Sequence, residues 1–325
     1  MMRVFYYIVF SLLILLSLLP LRLLYVLSDF LYLMVYRVVG YRRGLVRRHL
    51  AECFPEKGDD ERRKIERAFY HWFCDYLVET IKLSTMSQRQ IKRRMVFEGH
   101  EAIIEELAAG KSIGMYLGHY CNWEWITSLP LWTGTVGVCA QIYHPLENVW
   151  FDRLFIRIRE RFGAKCIPMA ETLRRLIKYK QEHQPIILGY ISDQIPFWNN
   201  IHHWLDFMHH DTPVLTGAER LMSQLKHSVY YADITRPKRG QYVCRIVKMA
   251  DDASKLNRSE GSPWPLTDAY FRLLEASIRH QPECYLWTHN RWKRSHEEFN
   301  LRYDEKTGRV DLGDIEDIKR RKGII

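Results

Sequence analysis

Residues 136–192 read VGVCAQIYHPLENVWFDRLFIRIRERFGAKCIPMAETLRRLIKYKQEHQPIILGYIS. Short apolar runs at 136–143, 165–168 and 185–192 alternate here with stretches at 149–162 and 172–181 whose apolar residues recur at helical spacing. Parallel strands need a crossover to bring the chain back, and that crossover is usually a helix. The alternation therefore predicts an α/β fold, with a largely parallel sheet flanked by helices.

The same pattern extends outward. Upstream, 113–117 is another apolar run, preceded by a helix at 102–109 that ends on Gly110, where glycine commonly stops helices. A longer helix over 61–83 carries Ile65, Phe69, Trp72, Phe73, Tyr76 and Leu77 on one face. Downstream the reading continues with a helix at 215–225 and strands at 229–234 and 242–247 paired across Lys238-Arg239-Gly240. A helix at 267–279 and an aromatic segment at 285–292 follow, and the tail after Tyr303 is charged and peripheral. No repeat, low-complexity tract or linker interrupts residues 40–310, so 37–325 reads as one domain.

An apolar fraction of 47% and a charged fraction of 26% are those of a folded protein. The net charge of +10 favours an anionic partner: nucleic acid, acidic lipid headgroups or an acidic protein. The first forty residues turn that choice away from nucleic acid. From Val4 to Leu21 there are eighteen residues without a charge, and Leu23 to Tyr36 adds only Asp29. Eighteen reaches the lower edge of the roughly 17–25 residues that span a bilayer core. Leu19-Pro20-Leu21-Arg22 offers no small-residue cleavage site, so residues 1–36 read as an uncleaved membrane anchor. A span followed by a surface helix and an interfacial insertion of both segments remain open. Arg37, Arg42, Arg43, Arg47 and Arg48 come next. Such a cluster marks the cytoplasmic side and attracts anionic headgroups by about 1 kcal/mol per residue; its plain alternative is a solvated helix face. The seven cysteines are odd in number, scattered, and form no CxxC pair. They fit reduced thiols in a cytoplasmic compartment, not a disulfide framework or structural zinc.

The stretch richest in chemistry is Gly118-His119-Tyr120-Cys121-Asn122-Trp123-Glu124, which follows a predicted strand and opens a predicted helix. On one continuous helix, residues five apart point about 140° away from each other. His119 and Glu124 can meet only with His119 on the loop and Glu124 in the first helical turn, Asn122 serving as N-cap. A carboxylate bound to one imidazole nitrogen fixes the tautomer and leaves the other nitrogen to take a proton from an alcohol. The plain alternative is a structural histidine, with Glu124 favouring a helix N-terminus.

GHYCNWEW resembles the HX4D/E block of the lipid A biosynthesis acyltransferases, the late lauroyl/myristoyl transferases, which commonly reads GH-x-GNWE. Other stretches fall in that family's order: the apolar amino terminus; YHPLENVWFDRLFIRIRERFGAKCIP; ILGYISDQIP, an apolar strand ending in DQ; and PECYLWTHNRWKR near the end. The resemblance covers nearly the whole chain and implies a glycerolipid-acyltransferase-like α/β fold with an amino-terminal membrane-anchoring helix. It implies that His119 and Glu124 form the catalytic dyad. Asn122, Arg157, Arg159, Arg161, Asp193 and Gln194 would bind substrate. It also implies an acyl chain donated by acyl carrier protein to a hydroxyl of a lipid A precursor, on the cytoplasmic face of a Gram-negative inner membrane. Membrane lipids are partners, nucleic acid is not, and neither cofactor nor metal is called for. Cys121 stands where the family has glycine, and Cys284 where it has glutamine.

Several alternatives stay open at this stage. The arginine helix also reads as a solvated basic stripe, and Asp193 as a buried structural acid, although strand ends in α/β sheets are where ligands bind. His202-His203 and His209-His210, with Asp206 and Asp211, raise a membrane-bound metallohydrolase, though no spacing matches a ligand pattern. Glycerolipid (lysophospholipid) acyl transfer and non-catalytic lipid binding are the remaining readings.

Overall fold

Ile113–Leu117 carries no charged side chain, and it is buried along its length as the middle strand of a seven-stranded sheet. Such runs suit strands covered on both faces. The computed structural model describes residues 2–257 and 261–324. Helices α1 (Met2–Leu18) and α2 (Leu21–Tyr32) come first, α2 running on into a π-helical segment at Leu33–Val39. Then come α3 (Arg43–Cys53), the long α4 (Asp59–Leu83) and the short α5 (Gln88–Lys92). Strand β1 (Met95–Glu98), α6 (His100–Ala108), β2 (Ile113–Leu117) and α7 (Pro130–Thr133) follow. The alternating stretch is β3 (Val138–Tyr143), α8 (Val149–Arg159), β4 (Lys165–Pro168), α9 (Thr172–Gln181) and β5 (Ile186–Ile191). A small hairpin, β6 (Trp204–Phe207) and β7 (His210–Pro213), precedes α10 (Gly217–Leu225). Strands β8 (Ser228–Lys238) and β9 (Gln241–Ala250) and helix α11 (Pro265–His280) complete the main layers.

The sheet order is β1-β9-β8-β2-β5-β3-β4, and every neighbouring pair is parallel except β8 with β9. The expected fold class and the paired strands around Gly240 are therefore present. Strand β1 and the β6–β7 hairpin were not expected. Two local expectations also change. No α-helix opens directly after His119, where a short 3-10 turn spans Trp125–Ser128. The aromatic segment at 285–292 is a loop, tied to the end of β2 by a bridge between Tyr120 and Tyr285.

α1 and α2 meet at 119°. The break falls at Pro20, which has no N–H to continue a helix. Among the described residues no single helix is long and apolar enough to cross a membrane, although the bent pair passes that test together. One face of α2 (Leu21, Leu24, Ser28 and Tyr32) is buried against the domain, with Ser28 Oγ donating to Asp75 of α4 at 2.7 Å. The other exposes Leu23, Val26 and Phe30, and α1 likewise exposes Ile8, Leu12, Leu15 and Leu18.

Candidate active site

Strands β2 and β5 lie side by side, Ile113 opposite Ile187 and Leu117 opposite Ile191. Carried two residues past the strand ends, the same register sets His119 beside Asp193. Gly118 joins the end of β2 to His119, and a Cβ there would come within 2.6 Å of the Leu274 side chain on α11, which would have to shift. His119 Nδ1 donates to Asp193 Oδ1 at 2.7 Å, and the His119 main-chain N–H donates to Oδ2 at 3.0 Å. Asp193 is 2% exposed. Burial alone would push its carboxyl up; the facing imidazole, these hydrogen bonds and the Arg291 charge offset this and hold it below the usual carboxylate range. With Nδ1 protonated, Nε2 carries the lone pair, and the exposed Gln194 amide lies 3.2 Å from it. The imidazole sits edge-on to Trp123, with ring centroids 5.2 Å apart. This is a base with its tautomer locked from behind and its basic nitrogen turned outward at the carboxyl end of the sheet.

Glu124 does not supply that lock. Past His119 the chain turns through Cys121, whose φ of +51° is left-handed. Asn122 Oδ1 then accepts the Trp125 N–H at 3.1 Å, opening the short turn. The turn aims Glu124 at α8, where Arg159 holds both carboxylate oxygens, Nε to Oε2 at 2.8 Å and Nη2 to Oε1 at 2.6 Å. The expected His119–Glu124 hydrogen bond is thus replaced by two pairs, His119 with Asp193 and Glu124 with Arg159. The physical reason is that the planar guanidinium matches a carboxylate at two points, while Asp193 already occupies the inner side of the imidazole.

The other expected substrate contacts separate in the same way. Asn122 is fully buried, its amide nitrogen donating to Glu79 at 2.8 Å, so it braces the loop and is not open to substrate. Arg161 donates from Nε and Nη2 to the Met86 carbonyl, both at 3.2 Å, and supports the chain there. Arg157 stays exposed, lining with Arg153 an apolar cleft walled by Phe10 and Leu13 of α1 and by Trp150 and Leu154 of α8.

The sequence pattern of the family described as bacterial lipid A biosynthesis acyltransferase matches residues 1–294. The chain belongs to this family. No curated protein matches its sequence. In this acyltransferase the two departures from the familiar pattern meet, since the Cys121 N–H donates to the Cys284 carbonyl at 2.8 Å. A glycine would take the left-handed conformation of residue 121 without a steric penalty, which cysteine does not escape. The histidine-rich stretch folds as the β6–β7 hairpin, with Met208 and His209 both left-handed at its tip. Its imidazoles go separate ways: His203 to Asp268, His209 to Arg279, and His210 to Glu52 and the Met208 carbonyl. No group of metal-ligating side chains converges among the described residues.

Sequence reasoning missed the surroundings of Asp193. The charge of Arg291 on the closing loop helps to hold the Asp193 carboxyl low, and Asp193 in turn acts on His289. Burial, with Arg291 and His119 adding to it, brings the His289 imidazole down to about 4, so it is neutral beside the site. The available signal was the closing RWK block, which the family resemblance picked out without a role.

The Glu124–Arg159 pair makes its own prediction. Glu124 is 3% exposed, and Glu124→Ala leaves the largely buried Arg159 cation unpaired. That should cost about 3 kcal/mol, the lower end of the range for a broken buried pair, because Arg159 keeps some solvent. Removing Arg159 as well should cost less than the two single losses combined. Denaturant unfolding of the purified single and double variants measures both, and additive losses would mean that the pair is not coupled.

Proposed function

We propose that this acyltransferase moves a fatty acyl chain from acyl carrier protein to a hydroxyl of a lipid A precursor, in a late acylation step. The observation that carries the reading is the His119–Asp193 pair, with Nε2 turned outward at the carboxyl ends of β2 and β5, where the Gln194 amide approaches it. His119 Nε2 takes the hydroxyl proton as the oxygen attacks the thioester carbonyl, and Asp193 stabilises the imidazolium. When the tetrahedral intermediate collapses, the C–S bond breaks and the imidazolium returns its proton to the leaving thiolate. Products are an ester and a free carrier thiol, and the step needs neither a redox partner nor a metal. A net charge of +10 suits an acidic carrier protein and anionic lipid.

The exposed leucine and valine faces of α1 and α2 support an uncleaved attachment through residues 1–36, on the cytoplasmic face of the inner membrane. Carbonate washing should leave the full-length protein on membranes; a protein whose amino terminus begins beyond residue 20 would defeat that part.

For the activity, purified protein is offered acyl carrier protein thioesters with a lipid A precursor or with a lysophospholipid, each with and without chelator. Ester formation on the lipid A precursor, unaffected by chelator, is the expected result. Transfer to the lysophospholipid alone would move the assignment to glycerolipid acylation. Loss restored by zinc would bring the histidine hairpin into the mechanism.

A further inference from the structure

Glu79 of α4 has no part in either ion pair of the site, yet its side chain is completely buried. Three elements converge on its carboxylate. Tyr25 of α2 donates to Oε1 at 2.8 Å, while Asn122 Nδ2 and Tyr242 Oη of β9 donate to Oε2 at 2.8 and 2.7 Å. Its main-chain carbonyl accepts a fourth hydrogen bond, from the Trp125 indole at 3.3 Å. Asn122, held by its nitrogen, uses its oxygen to fix the Trp125 N–H. One glutamate therefore grips the loop between His119 and the 3-10 turn at two residues that flank Trp123 and Glu124.

Stability alone is a weak reason for such a group. Burying a carboxylate costs several kcal/mol, and an apolar residue of similar size often serves a core as well. A fully satisfied polar cluster specifies one arrangement of its members, and here the members are the loop, the sheet and α2. The helix carrying Tyr25 is also the one whose outer face shows Leu23, Val26 and Phe30. Around the cluster, Arg239 spans Asp29 of α2 and Asp75 of α4, both at 2.6 Å, so α2 is also bound to the domain one turn after Tyr25.

We propose that Glu79 is a positioning residue for acyl transfer, acting through Asn122 and Trp125 on the loop that carries Glu124, and that Tyr25 completes this clamp from the amino-terminal helix. The seating of α2 on the domain thereby sets the order of the loop beside His119. The kinetic part of this inference rests on the acyltransfer reading above; the structural part does not.

The test uses full-length protein in vesicles of phosphatidylethanolamine and phosphatidylglycerol, comparing wild type, Tyr25→Phe, Glu79→Gln and His119→Ala. Tyr25→Phe removes one hydroxyl, and Glu79→Gln leaves one acceptor oxygen where three donors converge. Both should still sediment with vesicles. Amide hydrogen exchange of residues 118–126 should quicken in both. Their kcat should fall on the order of 10–10²-fold, as expected for a slightly misplaced group, with KM for the acyl donor within about twofold. Unchanged exchange in Tyr25→Phe, or kcat within twofold of wild type in both variants, would overturn the clamp. Should Glu79→Gln fail to fold, Tyr25→Phe alone decides. A wild type inactive on every acyl donor would strike the functional reading, while the exchange measurement still decided whether α2 orders the loop.

Discussion

His119→Ala should lower acyl transfer by at least the 10²–10⁴-fold typical of a lost general base. The imidazole is 17% exposed, and its inner nitrogen is taken by Asp193, so only Nε2 can reach an acceptor hydroxyl. Removing the ring also deprives the buried Asp193 of a hydrogen bond, and some loss of stability is expected besides the loss of rate. His119→Asn separates the two, because its amide can still donate to the carboxylate but cannot take a proton. Both variants should therefore lose turnover, with packing around the carboxylate better preserved in the asparagine variant than in the alanine one. Acyl transfer to the lipid A precursor by proteins compared below their unfolding transitions is the measurement. Near-normal turnover in either one would end the proposed mechanism.

Asp193→Asn should be about as damaging, approaching the ~10⁴-fold seen when a triad aspartate is replaced by its amide. The change is nearly isosteric, so packing survives. The amide nitrogen, however, would face one of the two N–H donors of His119. If it faces the ring, the proton moves to Nε2, and the base is blocked at the position where it must act. A pH effect accompanies this loss. The Asp193 carboxyl lies below its unfolded value, so its stabilisation is complete above about pH 4 and is lost as pH falls through the lower folded value. Asp193→Asn should be less stable than wild type at neutral pH and should lack this acid-side slope. Unfolding curves from pH 7 down to the acid transition test the sign; parallel slopes would show that Asp193 gains nothing from its partners.

Much of the architecture was legible because the period of the apolar residues reports the element directly. The runs at 113–117, 165–168 and 172–181 coincide with β2, β4 and α9. Helices α4, α8 and α11 differ from their expected bounds by a few residues at the ends, where periodicity fades. Strand β1 escaped because four residues with a charged end, Met95–Glu98, carry too little pattern to register. The β6–β7 hairpin escaped because its histidines and aspartates read as chemistry, and its left-handed tip is Met208-His209 in place of the usual Asn-Gly signal.

For the site, the residues of GHYCNWE and DQ marked both strand ends by themselves, because short polar motifs after apolar runs fall where a parallel sheet opens. The partner of each residue could not be read there. His119 and Glu124 are close in sequence, and the family resemblance, with His119 on the loop and Glu124 in a first helical turn, made them a pair. His119 and Asp193 are 74 residues apart and meet only because β5 is inserted beside β2 in a register that no local pattern encodes. Likewise Arg159 was one of three candidate arginines, with Arg157 and Arg161, and only the packing of α8 against the loop set it, and neither of the others, against Glu124. Sequence determined which groups stand at the carboxyl end of the sheet, through periodicity and motif. Tertiary structure decided which carboxylate each cation or imidazole holds, because that depends on strand order and helix packing, and both are set by contacts between residues far apart in the chain.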